Sequence, residues 1–353
     1  MMKKVLGLIL FFVCFFQSNS WGGDNASTID LKVLQMNIWQ EGTVVKGGFD
    51  AIIDELVHVD ADIVFLSEVR NYKGRLLVPR ILEALKRKGK TYYGNRQTSL
   101  DVAVLSKYQL VEQAEVYPEE GATGSILRSV IDVDGRMVAA YSAHLDYKDY
   151  ACYLPRGYDG ATWKKMEQPV CDVAQIMEAN RKSWREEGIA AFLKVAREDI
   201  NKGYAVLLGG DFNEPSHLDW RKNTRDLWDH RGTVIDWDCS VMLYDGGFKD
   251  AFRKVYPNAK THPGFTFPSD NVDVPISKLA WAPDADERDR IDFIYYYPMS
   301  GFKPVNAYVH GPDSSIVRGK RVKEESQDSF ILPEGVWPTD HKAVLVEFSW
   351  KKK

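Results

Sequence analysis

Six short stretches of this sequence place a polar residue where an apolar strand runs out. They are Asn37 in QMNIW, Glu68 in FLSEVR, His144 in SAHLDY, Asp211 and Asn213 in GDFNEP, Asp292 in DRIDF, and the pair Asp340 and His341 in TDHKAV. Taken singly, each is ordinary: a histidine at a strand end is usually a satisfied structural group, and Asp-Phe-Asn is common turn chemistry. Together the residue types combine. Glu68, Asp211 and Asp340 are carboxylates and Asn37 and Asn213 are amides, hard oxygen donors that suit Mg²⁺ or Mn²⁺ and not zinc. His144 and His341, with Asp292 as a carboxylate at hand, add an acid, a base and an orienting partner. A hard metal beside histidines is equipment for phosphoester hydrolysis.

Such groups need a frame that brings strand ends together. Residues 31–38 alternate and end in an apolar run, which predicts a strand, and 62–66 (DIVFL) predicts a short buried one. Further strands are expected at 102–106, 126–133, 136–144, 204–209, 291–297, 303–310 and 342–349. Helical apolar spacing marks 49–58, 76–88 and one long amphipathic helix over about 172–201. Mixed strands and helices predict one α/β domain with packed sheets. Two stretches, 145–171 and 257–290, carry aromatics and prolines but little periodicity. Loops this long in a compact domain are usually functional.

Composition bounds the rest. The chain has 353 residues, 44% of them hydrophobic and 27% charged, ordinary values for a globular protein. The net charge is −4, and −6 once Lys3 and Lys4 are removed with a leader, which argues against a globally basic nucleic-acid clamp. Residues 1–20 read as a secretory signal: Lys3 and Lys4, an apolar run from Val5 to Phe16, and small residues Ser18 and Ser20 before a cleavage site. The run is too short to span a bilayer, and no later stretch is long enough, so 21–353 is expected to be a single exported, soluble domain. Cys152, Cys171 and Cys239 remain. Cys152 and Cys171 would close a loop worth roughly 3 kcal/mol as a disulfide, or all three stay free thiols. Nothing in the sequence sets the oligomeric state.

The six motifs, in this order, resemble the endonuclease/exonuclease/phosphatase superfamily over about residues 30–349. The resemblance implies an α/β (α+β) four-layer sandwich, two mixed β-sheets packed face to face with helices on the outside and the active site at one end. It implies that Glu68 is the principal metal ligand for Mg²⁺ or Mn²⁺, with Asn37 and Asp340 completing the shell directly or through water. Asp211 orients or deprotonates the attacking water, and Asn213 holds that water or a phosphate oxygen. His341 bonds the scissile phosphate with Asp292 fixing its tautomer, and His144 donates a hydrogen bond or proton from the other side.

A histidine at 144 is similar to deoxyribonucleases, neutral sphingomyelinases and inositol polyphosphate 5-phosphatases of that superfamily, where abasic-site endonucleases usually carry Tyr. Arg70 in EVR is similar to an arginine that contacts substrate phosphate in the deoxyribonucleases, and as a residue it reads equally as a surface salt bridge. A carboxylate partner for His144 is expected in the nuclease branch, and Asp101 is the nearest candidate, though a poor match. The segment after His144 puts Tyr147, Arg156 and Trp163 among several aromatics and cations. Such a set cradles a ring or sugar with its phosphate, stacks bases, or is a solvated loop. The expected function is a secreted metal-dependent phosphoesterase acting on a small molecule or lipid head group. The alternative is a secreted non-specific endonuclease. A non-catalytic binding module is disfavoured, because every motif position holds a competent residue.

Overall fold

The computed structural model describes residues 28–118 and 122–351. The leader expected at 1–20 lies outside the described residues. The elements run β1 Thr28–Asn37, α1 Gly48–Val59, β2 Ile63–Ser67, α2 Leu77–Arg87, β3 Tyr93–Gly94, β4 Val102–Ser106, β5 Gln109–Tyr117, β6 Ser125–Val133, β7 Arg136–His144, α3 Val173–Asn180, α4 Arg185–Asn201, β8 Ala205–Asp211, α5 Asp238–Asp245, β9 Lys249–Asp250, α6 Ala251–Val255, β10 Asp292–Tyr296, β11 Phe302–His310, β12 Ser314–Val317, β13 Lys320–Lys323, β14 Phe330–Ile331 and β15 Ala343–Lys351.

Alternation decides which way each strand faces. Leu31 and Val33 of β1 join Phe65 of β2, Val138 and Ala140 of β7, Leu207 of β8, Ile294 of β10 and Val344 of β15 in one buried cluster between the sheets. Their neighbours Leu34, Met36, Val64 and Leu66 turn outward onto α1 and α2, meeting Ile52, Leu56, Ile81 and Leu85. On the other sheet Tyr141, Val206, Leu208 and Phe293 turn outward onto Ile189 and Phe192 of α4 and Leu243 of α5. The result is the expected four-layer sandwich. One sheet has the order β14-β11-β15-β1-β2-β4-β3, the other β5-β6-β7-β8-β10-β9, and β12 and β13 form a separate hairpin. Both faces of the central strands are covered, which is why they read as unbroken apolar runs.

Gly209 sets how close the layers come, and Gly210 how closely β8 lies against β7. A Cβ on Gly209 would lie 2.1 Å from the Phe65 ring of the facing sheet, and one on Gly210 would lie 2.3 Å from the Ala143 carbonyl oxygen. Phe65 is fully buried against this gap. Burial of such a ring contributes about 2–3 kcal/mol.

Two expectations change. The helix expected over 172–201 is two helices, broken at 181–184. The break brings Arg185 inward, where its guanidinium donates to the carbonyls of Asp146 (2.9 Å), Lys148 (2.8 Å) and Asp149 (3.0 Å) and to Asn180 Oδ1 (2.8 Å). Those carbonyls begin the long segment after His144, so Arg185 anchors it. A strand at 109–117 was absent from the expectation. β5 is the edge of its sheet and mostly exposed, so its polar sequence lacks the buried alternation that marks a strand.

Candidate active site

The parity that builds the inter-sheet core also builds the site. Residues 207, 209 and 211 of β8 face the opposite sheet, as do 138, 140, 142 and 144 of β7 and 292, 294 and 296 of β10. β7 pairs parallel to β8 with His144 opposite Asp211, and β10 pairs antiparallel to β8 with Asp292 opposite Asp211. His144, Asp211 and Asp292 therefore form one row across three strands. On the facing sheet β1 and β2 run parallel with Asn37 opposite Ser67, and Glu68 follows at once. Glu68 sits at φ 70° and Asn213 at φ 49°, left-handed conformations that cost about 1–3 kcal/mol each and turn both side chains into the site.

Each histidine is held by a carboxylate through Nδ1. His341 Nδ1 lies 2.9 Å from Asp292 Oδ2, and His144 Nδ1 lies 2.8 Å from Asp101 Oδ2. Both Nε2 atoms then point at Asp211 Oδ2, from 3.8 Å and 3.9 Å. Burial opposes the charged form of each imidazole, but the adjacent carboxylates outweigh it. Asp292 and Asp211 carry His341 up to about 10, and Asp101, with Asp211 and Glu68, carries His144 up to about 9. Burial raises Asp340 to about 7, with His341 opposing and Glu68 and Asp211 adding to the rise. Burial likewise raises Asp211, with Asp292 adding to it.

Asn37 sits between the carboxylates. Its Oδ1 accepts from the Trp39 backbone N–H at 2.9 Å, and its Nδ2 donates to Asp211 Oδ2 (2.9 Å) and Glu68 Oε1 (3.3 Å). The amide bridges two carboxylates and presents hydrogens, not oxygen, to them. Asn213 donates from its backbone N–H to Asp211 Oδ1 at 2.9 Å and from Nδ2 to the Leu145 carbonyl at 3.1 Å. Arg70 spans Asp101 (2.7 Å) and Glu68 (3.3 Å), so it is an ion-pair bridge and still lines the cavity.

A divalent cation fits this donor set. Glu68, Asp340 and Asp211 converge, and among the described residues Asp340 has no ion-pair partner nearer than His341 Nε2 at 4.0 Å. A buried carboxylate raised by like charges is relieved by a cation. Asp211, Asp292 and His341 also bring ligand-type atoms within 4.8 Å of one another. Asp292 is buried beneath His341 and bonded to it, so that trio is a hydrogen-bonded dyad beside Asp211, and Glu68 and Asp340 are the further cavity-lining carboxylates that could hold a cation.

Above this floor lies a cavity of about 360 Å³ walled by aromatics. Tyr147, Tyr150, Tyr153 and Trp163 come from one long loop and Phe267 and Trp281 from the other. Trp163 and Trp281 approach to 4.8 Å between ring centroids, and Tyr147 lies 6.2 Å from Trp163. Glu287 locks the loops together: it accepts from the Tyr153 hydroxyl and from the backbone N–H of Trp281 (3.1 Å) and Ala282 (3.0 Å). Lys165 adds an ion pair to Asp284 at 2.7 Å.

Arg156 does not face the cavity, contrary to its expected part in substrate binding. Its side chain is fully buried, paired with Asp289 and donating to the Arg288 carbonyl at 3.1 Å. It is a cross-loop tie. Tyr147 and Trp163 do line the cavity, and Tyr150, Tyr153, Phe267 and Trp281 join them. Cys152 is buried, Cys171 exposed, and both are free, as is Cys239.

A family model described as the Endonuclease/Exonuclease/phosphatase family matches residues 34–341. An uncharacterized protein of Caenorhabditis elegans is 27% identical over 354 residues, 97% of this chain and 98% of that one. A solved endonuclease/exonuclease/phosphatase from Beutenbergia cavernae is similar in fold, with a TM-score of 0.52 at 18% identity over 91% of this chain and 72% of that chain. Danio rerio TDP2, solved in complex with a single-strand DNA product, is similar with a TM-score of 0.50 at 13% identity over 90% of this chain and 98% of that chain.

Proposed function

The chain belongs to the endonuclease/exonuclease/phosphatase family, whose members are metal-dependent phosphoric ester hydrolases, and from that premise we propose that it hydrolyses a phosphate ester or diester of a small molecule or lipid head group. The observation that carries the choice of substrate is the aromatic cavity of about 360 Å³ directly over the His144, Asp211 and His341 cluster. It accepts one compact group beside the scissile phosphate. A duplex nuclease tracks several phosphates with Lys and Arg. Among the residues lining this cavity Arg70 is the one such cation, and it is bonded to Asp101 and Glu68.

A bound Mg²⁺ or Mn²⁺, held by Glu68 and Asp340, supplies neutralisation of the charge that develops on the phosphoryl oxygens. The protein's own groups do the rest. His144 and His341 present Nε2–H toward the cavity because Asp101 and Asp292 occupy their Nδ1 atoms, and both donors receive phosphate oxygens. Asp211, its Oδ1 fixed by the Asn213 N–H and its Oδ2 by Asn37, orients the attacking water and takes its proton. Displacement is in line, with no covalent enzyme intermediate. His144, facing the aromatic loop, protonates the departing oxygen. We place this chemistry outside the cell, on the strength of the leader read at 1–20.

A single-stranded nucleic-acid end is the second reading, since the Trp163 and Trp281 rings are also platforms on which bases stack. A metal-dependent screen of the purified protein separates the two. Duplex DNA, RNA, sphingomyelin, inositol phosphates and bis(p-nitrophenyl) phosphate are compared with Mg²⁺, Mn²⁺ or EDTA. Metal-dependent turnover of a compact ester, with duplex DNA a poor substrate at about 0.15 M salt, supports the first reading. Efficient duplex degradation that survives Trp163→Ala overturns it.

A further inference from the structure

A second and larger cavity, about 570 Å³, opens beside the first, and no step of the reaction above uses it. Its lining includes Glu41, Phe49, Tyr72, Lys73, Arg75 and Arg80. Two hydrogen-bonded side chains stand between the cavities as a wall. Gln40 lines the catalytic cavity and Tyr72 the second, and the Tyr72 hydroxyl donates to Gln40 Oε1 at 3.0 Å. On its catalytic side the wall touches Glu68, where the Gln40 backbone N–H donates to Glu68 Oε2 at 2.9 Å.

The wall is built at a cost. Trp39, Gln40 and Glu41 stand at φ 36°, 55° and 60°, three successive left-handed residues, each costing about 1–3 kcal/mol. Buried Glu41 holds the turn by accepting from the Asn71 backbone N–H and pairing with Arg80 at 3.3 Å. Gly42 and Gly48 close the floor, where a Cβ on Gly48 would lie 2.1 Å from the Gly42 carbonyl oxygen. Glu41 thus neutralises Arg80. Lys73 and Arg75 are exposed and have no ion-pair partner among the described residues. They face one unpaired acid on the rim, Asp50. Phe49, with the Arg80 guanidinium over its ring at 4.5 Å, and the Tyr72 ring supply apolar surface in the same lining.

We propose that this cavity binds the second arm of the substrate, a substituent with an apolar or ring body that ends in an anionic group. This rests on the phosphoesterase reading above and makes the substrate a phosphodiester, not a monoester. One arm occupies the aromatic cavity, the scissile phosphate lies over His144 and His341, and the other arm crosses the wall of Gln40 and Tyr72. On hydrolysis the water oxygen bonds to phosphorus, the P–O bond to the arm in the aromatic cavity breaks, and the released oxygen takes a proton. The monoester stays on the other arm.

The test uses the charge-reversed protein Lys73→Glu/Arg75→Glu, whose two positions are exposed and outside the catalytic cluster, with Tyr72→Ala as a second variant. Binding of thymidine 3′,5′-bisphosphate and of thymidine 5′-phosphate is measured by calorimetry without turnover. The 5′-p-nitrophenyl esters of the same two compounds are then assayed with metal. In the wild type the added 3′-phosphate should tighten binding and lower KM about tenfold, as expected for two charge-assisted contacts. The charge-reversed protein should lose that gain while turning over bis(p-nitrophenyl) phosphate normally, and Tyr72→Ala should weaken binding of both thymidine compounds. No gain in the wild type, or the same gain in the charge-reversed protein, overturns the proposal. A wild type that binds as expected but hydrolyses no ester overturns the phosphoesterase reading and leaves the binding site standing.

Discussion

Asp101→Asn isolates what the Asp101–His144 pair contributes, because it removes one charge and keeps the side-chain size. His144 stands at about 9 against an ordinary 6.5, although burial works against its charged form. At about 1.4 kcal/mol per pH unit this is roughly 3 kcal/mol of preference for the imidazolium. Asp101 is the largest favourable contribution, 2.8 Å from Nδ1. Without it burial is opposed only by Asp211 and Glu68, and the imidazole falls toward its ordinary value. A raised imidazolium is present below its folded value and lost above it. The wild type should therefore hold His144 charged until the pH passes about 9. In Asp101→Asn the alkaline limb of kcat/KM should move down by about two pH units, giving roughly a tenfold loss at pH 8 that recovers toward pH 6. The same pair contributes stability that is fully present below 6.5 and is lost as the pH rises through about 9. A pH series of kcat/KM, with the His144 ring protons followed by NMR in EDTA, reads both. An unmoved alkaline limb, or a loss equal at every pH, refutes the assignment of His144 as a donor held by Asp101.

Three further outcomes are expected. EDTA should abolish activity and Mg²⁺ or Mn²⁺ restore it, and Glu68→Gln should lower activity by orders of magnitude with an unchanged circular dichroism spectrum; full activity in either case sinks the metal assignment. His341→Ala should cost about 10²–10⁴ in rate, and Asp292→Asn should show a smaller loss, greatest at alkaline pH, because His341 then no longer stays charged up to about 10; an unchanged rate in Asp292→Asn makes that aspartate purely structural. Arg156→Leu should destabilise by about 3–5 kcal/mol, since it strands buried Asp289, whereas Trp163→Ala should leave the unfolding midpoint nearly unchanged and raise KM for bulky leaving groups; equal stability loss in both would show that the cap is one packing unit without a binding face.

The strand ends were legible because each catalytic side chain is a polar residue at a position whose strand neighbours are apolar. Asp211 continues the inward parity of Leu207, and His144 that of Val138 and Ala140. Asp101 was a poor match in the sequence because it lies 43 residues from His144, just before β4, and the sheets bring the two together only across layers. Arg156 was misread for a physical reason: proximity in sequence to His144 and an aromatic neighbourhood describe a binding loop and a buried ion pair equally well. The partner that decides is Asp289, 133 residues away. The break between α3 and α4 was hidden because the helical spacing continues through 181–184. Arg185, tying down the carbonyls of 146–149, is a tertiary demand with no local signature.

The shared row of His144, Asp211 and Asp292 gives the chain an uneven tolerance to changes in its own length. A substitution within β7, β8 or β10 is a local event, but one residue lost or gained there reverses every inward and outward position beyond it. Deleting one residue early in β8 would turn Asp211 away from the opposite sheet and onto the layer of α4 and α5, with the rest of the catalytic cluster still in place. The long segments at 145–171 and 257–290 answer to no such parity; they are held by ties at Arg156, Glu287, Lys165 and Arg185 and by their own buried cluster around Tyr153 and Phe267. New substrate ranges are therefore reached by lengthening, shortening or exchanging the cap between those ties. The three strands beneath can be re-lettered but not re-measured.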